Sequence, residues 1–79
     1  MIRKFPNEIF SYRLKELRLS HNLTQLQVAN SLSMTKSAIC NLENQQKKPS
    51  LDTAILLATY FNVSLDYLAG LSNNPNPQP

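Results

Sequence analysis

The stretch that most constrains this chain is TQLQVANSLSMTKSAICNLE, residues 24–43. Its periodicity predicts two short helices, 25–32 and 36–43, joined only by Ser33, Met34 and Thr35. That link is too tight for two long helices packed side by side, so the pair must cross steeply. Each helix carries a start signal. Thr24 with Gln27 three residues on forms a capping box, in which hydroxyl and amide side chains satisfy each other's backbone donors. Thr35 caps the second helix in the simpler way. Val28, Ala29 and Leu32 share one face of the first helix, and Ile39 and Leu42 one face of the second. Ala29 is small enough to admit the crossing helix, and Met34 fills the inside of the turn.

These are the parts of a helix-turn-helix, whose second helix enters the DNA major groove while the first crosses the backbone. From residue 23 to 68 the chain resembles the Cro/repressor-type (Xre-like) family of helix-turn-helix regulators, without a gap. The resemblance is carried by Leu23-Thr24-Gln25, Val28-Ala29, Ile39, Leu42-Glu43, Lys48-Pro49-Ser50-Leu51 and Val63-Ser64-Leu65-Asp66. It implies an all-α fold, a compact five-helix bundle of the lambda-repressor-like kind. Two positions depart from the family pattern: Ser33 and Gln45 stand where glycine is usual. Both are places that commonly need a positive φ, where a side chain costs about 1 kcal/mol.

Composition limits the alternatives. A chain of 79 residues is one small domain. A single cysteine excludes an internal disulfide, and no Cys/His cluster has metal-ligand spacing. No cofactor is expected. No apolar run approaches the ~20 residues of a membrane span, and the first ten residues lack a signal peptide's apolar stretch, so the expected location is the cytoplasm. The net charge of +3, from eight Lys and Arg against five Asp and Glu, permits nucleic-acid binding without proving it. One His, one Cys, no phosphate-cradling glycine loop and few acids leave little from which to build an enzyme.

In chain order, residues 1–7 read as a basic arm with Arg3 and Lys4, and residues 8–71 as the helical domain. The first helix buries Phe10, Leu14 and Leu17 and leaves Arg13, Lys15 and Glu16 solvated. His21 caps its end. Residues 44–48 form a polar and then basic loop. Ser50 caps a fourth helix, 51–61, that buries Leu51, Ala54, Leu57, Ala58 and Phe61. Ile55, Leu56 and Tyr60 are apolar surplus there, and with Tyr67 they are the candidate surface for a homodimer. Ser64 caps a fifth helix, 65–71, ended by Gly70. The tail 72–79, SNNPNPQP, is expected to be disordered or polyproline-like. In longer members such a tail would lead to a sensing or oligomerising domain.

The exposed face of the second motif helix offers Lys36, Ser37, Ala38 and Asn41 for base edges: Lys36 to guanine, Asn41 to adenine, Ala38 to a thymine methyl. Gln25, Thr35, Asn44, Lys47 and Lys48 are the candidates for phosphate. The resemblance further implies a buried structural ion pair between Arg18 and Glu43. Cys40 reads as a small half-buried residue, not a redox switch. The implied function is sequence-specific binding of duplex operator DNA and transcriptional regulation, as a dimeric repressor on a near-palindromic site. The alternative is a protein-interaction module, or antitoxin-like regulatory subunit, on the same fold.

Overall fold

The structure, a computed structural model, describes residues 7–77. It contains five helices: α1 (Asn7–Ser20), α2 (Gln25–Ser31), α3 (Lys36–Glu43), α4 (Leu51–Tyr60) and α5 (Leu65–Leu68), with no strand among the described residues. The basic arm lies outside the described residues except for Asn7, which opens α1.

Local chemistry punctuates every element. Thr24, Thr35, Ser50 and Ser64 sit in extended backbone before α2 to α5, and each hydroxyl accepts from the amide three residues on. The Thr24 cap is a complete capping box, with Thr24 N–H donating back to Gln27 Oε1 at 2.8 Å. The helix ends are equally uniform. Asn22, Ser33, Gln45, Asn62 and Gly70 all have positive φ, between 55° and 84°. Each is followed by a residue whose amide reaches back to a carbonyl five positions earlier: Leu23 to Arg18, Met34 to Ala29, Gln46 to Asn41, Val63 to Ala58 and Leu71 to Asp66. All five helices therefore close with the same left-handed Schellman turn, which satisfies their last carbonyls. Asparagine tolerates that backbone better than most residues, so the strain falls chiefly on Ser33 and Gln45.

The core is a single cluster fed by every helix: Phe10 and Leu14 from α1, Val28 and Ala29 from α2, Ile39 and Leu42 from α3, Ala54, Leu57 and Ala58 from α4, and Leu68 from α5, with Phe61 just past α4. Leu23, Met34 and Val63, each the residue after a left-handed turn, pack against it.

Four expectations need correction. Leu51 is not buried but 68% exposed, because it is the first residue of α4 and α5 is too short to cover it. The fifth helix is four residues long, not seven, because its Schellman turn already forms at Gly70. Arg13 is not solvated: its guanidinium lies 4.1 Å from the Tyr67 ring centroid and donates to the carbonyls of Tyr67 and Ser72 and to Asn73 Oδ1. The tail is not free of anchors either. Besides Arg13, the Ser64 amide donates to Pro75 O at 2.9 Å and the Ser64 hydroxyl to Asn74 O at 3.3 Å. Those bonds use tail carbonyls, which the absence of apolar side chains does not remove.

Candidate nucleic-acid interface

Helix α3 spans the residues expected of it, and three neighbours fix its pose. At its C-terminal end Glu43 is buried and accepts from Arg18 Nε at 2.6 Å, Arg18 Nη2 at 3.0 Å and Gln25 Nε2 at 3.1 Å. Arg18 also donates from Nη1 to the Leu23 carbonyl at 2.9 Å. The hydrogen bond to Glu43 raises the Arg18 pKa above its ordinary value; burial opposes this and the attraction of opposite charges adds to it. Close by, the buried Ser11 hydroxyl donates to Leu42 O at 2.5 Å. At the other end the Thr35 hydroxyl accepts from Ala38 N at 3.0 Å. Helix α3 is thus clamped to α1 and α2 along its inner side.

What it presents outward is polar and basic. Lys36 and Ser37 are exposed, and Ala38 and Asn41 are half-buried at the edge of the same face. Asn44, Lys47 and Lys48 are exposed in the following loop, which is held by Gln46 N and Lys47 N donating to Asn41 O. Between residues 36 and 48 the one acid is Glu43, and its charge is compensated by Arg18. The surface that remains is positive, the polarity a phosphate backbone attracts.

Some expected residues carry second duties. Gln25 donates one amide hydrogen to Glu43, and an amide group has another to offer. Asn44 Nδ2 donates to Cys40 Sγ at 3.2 Å, a weak acceptor; Cys40 is a half-buried free thiol. Of the candidate dimer residues, Ile55 and Leu56 are 45% and 47% exposed. Tyr60 is not free: its hydroxyl donates to Ser31 Oγ at 3.3 Å and its ring stands edge-on to Phe61. Tyr67 lies under Arg13. His21 Nδ1 donates to Leu17 O at 2.8 Å, as a helix-end cap.

Sequence reasoning missed Ser11 and Arg13. The signal for Ser11 was its place beside the Phe10–Leu14 stripe, where a small hydroxyl can enter a helix crossing. Arg13 had none, since most of its partners are main-chain carbonyls of a segment without periodicity. Among the described residues no group of three His, Cys, Asp or Glu side chains is placed to hold a metal ion, and no helix is long and apolar enough to cross a membrane.

Comparison with known proteins agrees with this geometry. Residues 14–68 match the family described as Helix-turn-helix. The chain is 39% identical over 70 residues to the uncharacterized HTH-type transcriptional regulator YobD of Bacillus subtilis (strain 168), covering 89% of this chain and 62% of that protein. It is 38% identical over 58 residues to the HTH-type transcriptional regulator ImmR of the same organism, covering 73% and 46%. It is 32% identical over 59 residues to the HTH-type transcriptional activator BcrR of Enterococcus faecalis, covering 75% and 29%. The chain thus spans less than two thirds of the length of these relatives. The matched span contains the capped α2–α3 motif and both partners of the buried ion pair, and the chain belongs to the Cro/repressor-type (Xre-like) helix-turn-helix family of transcriptional regulators.

Proposed function

We propose that this chain binds duplex operator DNA sequence-specifically by inserting α3 into the major groove, and so regulates transcription in the cytoplasm. The observation that carries this is the contrast between the two sides of α3. Its inner side is fixed by Arg18, Gln25 and Ser11, while its outer side offers Lys36, Ser37, Ala38 and Asn41 with no uncompensated acid. Rigid support with a readable polar face is what base recognition needs. Gln25, Thr35, Asn44, Lys47 and Lys48 supply phosphate contacts that set register.

One domain of this size covers about half an operator, so it acts as a dimer on a near-palindromic site with recognition helices ~34 Å apart. Repression is the favoured sign of control, because occluding a promoter needs only occupancy. The relative BcrR is named an activator, so the sign is tested separately with a promoter-reporter assay. The half-exposed Ile55 and Leu56 favour a second reading, a module that docks a protein partner through α4.

The test is a selection of bound sequences from random duplex DNA, run beside an Asn41→Ala control at fixed salt. An inverted repeat whose preferences blur in the control supports the operator reading. Nothing enriched above background overturns it in favour of the protein partner.

A further inference from the structure

A serine inside a helix ordinarily turns its hydroxyl to a carbonyl of its own preceding turn. Ser11 of α1 does otherwise. It is 2% exposed, and its Oγ donates across the helix crossing to Leu42 O at 2.5 Å, one residue before the end of α3. A hydroxyl has one proton to give, so this bond uses its whole donor capacity. The acceptor is a carbonyl that α3 itself leaves unmet. Had the helix continued, the Gln46 amide would have reached it, but that amide turns back to Asn41 O. Ser11 therefore caps the C-terminal end of α3 from another helix.

The same face of α1 carries a second tether. Arg18 lies about two turns beyond Ser11, ~10 Å along the helix, and the two hold neighbouring groups at the end of α3, the Glu43 carboxylate and Leu42 O. The bonds differ in what they control. Arg18 is long and grips a side chain, whereas Ser11 has a single side-chain torsion before its oxygen and grips the main chain of α3 itself. Small angles matter there. A pivot of about 3° at Leu42 displaces the start of α3, ~9 Å away at Lys36, by ~0.5 Å, the tolerance within which a recognition group must be held. We propose that Ser11, buried at the α1–α3 crossing, is a positioning residue for base recognition: its bond to Leu42 O sets the angle at which Lys36, Ser37, Ala38 and Asn41 meet the base edges. This rests on the operator reading above. It divides the work between the tethers, Arg18 holding α3 to the bundle and Ser11 holding its direction.

Three variants of the full chain test this. Ser11→Ala removes the donor and keeps Cβ, and Ser11→Cys keeps the shape with a weaker donor. Ser64→Ala is the control, because it removes the α5 cap and lowers stability at a helix end that takes no part in holding α3. Circular dichroism sets a temperature at which each variant is folded. Fluorescence anisotropy at that temperature and fixed salt then measures affinity for the selected operator and for an unrelated duplex. The expected result is that Ser11→Ala loses about tenfold of the wild-type preference for the operator, nearly all of it from operator affinity. Ser11→Cys should lose less, and Ser64→Ala nothing. An unchanged preference in Ser11→Ala makes Ser11 a packing residue only and overturns the proposal, as does an equal loss on both duplexes. If Ser11→Ala does not fold, the same two outcomes are read from Ser11→Cys. A wild type that prefers no duplex fails the operator reading itself, before any variant is compared, and this inference falls with it.

Discussion

Arg18 Nε lies 2.6 Å from Glu43 Oε2, and this pair joins the end of the first helix to the end of the third. Its side chains are 11% and 2% exposed, so neither charge can fall back on water if the other is removed. Arg18→Ala or Glu43→Ala should each lower stability by about 3 kcal/mol in denaturant titration. Replacing both by apolar residues of similar volume should restore much of that loss. The sign of the pH dependence follows from the raised Arg18 pKa. A base whose folded pKa exceeds its unfolded one contributes fully below the unfolded value and loses that contribution only as pH climbs through the folded one. Stability should therefore show no loss from Arg18 up to about pH 10, since arginine titrates well above that. A deprotonation step near pH 9 that vanishes in Arg18→Ala would contradict this.

Thr35 illustrates how a cap and a phosphate ligand can be separated. Its hydroxyl accepts from Ala38 N, so Thr35→Ala leaves that amide without its side-chain acceptor. The expected loss is about 1 kcal/mol, which for a domain of this size lowers Tm by about 4–8 °C. Thr35→Ser should restore it. If Thr35 also touches phosphate, the alanine variant will lose DNA affinity at temperatures where it is fully folded, and the serine variant will not.

The left-handed helix ends give opposite predictions at two kinds of site. Ser33 and Gln45 have φ of 55° and 62°. Glycine relieves that strain but adds freedom to the unfolded chain, leaving a net gain of about 0.5–1 kcal/mol for each of Ser33→Gly and Gln45→Gly. Gly70 already has the permissive residue, with φ of 84°. A Cβ there would stand 3.0 Å from Ile9 Cγ2 and 3.2 Å from Ile9 Cδ1. Gly70→Ala should therefore destabilise by about 1–2 kcal/mol. Thermal unfolding of the three single variants reads all of these signs.

Arg13 holds the C-terminal segment through three hydrogen bonds and the face of Tyr67. Arg13→Ala should cost about 1 kcal/mol globally and act most strongly near the tail. The Ser64 amide, bonded to Pro75 O, should exchange with solvent faster once Arg13 is gone, while the Ile39 amide in α3 should not. Equal acceleration at both amides would mean that the tail is not held as a separate unit.

The contrast between α3 and the tail shows what a sequence makes legible. The α2–α3 motif announces itself because its caps, its turn and its apolar face are all encoded within a few residues of one another. The four Ser and Thr caps and the polar face from Lys36 to Asn41 were readable for that reason. Leu51 fits a helical stripe and the Ser50 cap places the helix start there, but neither signal tells whether another element lies over that first residue. Arg13 and Ser11 escaped because they bond chiefly to main-chain carbonyls distant in sequence, and a carbonyl has no residue type to recognise. The Arg18–Glu43 pair was legible only through the family resemblance, since no spacing rule links positions so far apart.

The DNA interface separates into affinity and specificity, and different residues should carry each. Lys47 and Lys48 are exposed beyond the end of α3, and the proposed binding mode assigns them to phosphates. The double variant Lys47→Ala, Lys48→Ala should weaken binding to every duplex alike. It should also flatten the dependence of log K on log salt by about 1 for each phosphate the variant no longer neutralises. Asn41 lies on the α3 face, half-buried, with its carbonyl committed to the following turn. Asn41→Ala should leave the salt slope nearly unchanged and reduce discrimination at one base-pair position per half-site by about 1–3 kcal/mol. Fluorescence anisotropy against matched and single-mismatch duplexes over a salt series measures both quantities together. If Asn41→Ala changed the salt slope while keeping its base preference, Asn41 would belong with the phosphate-binding residues, and base reading would fall to Lys36 and Ser37 at the start of the helix.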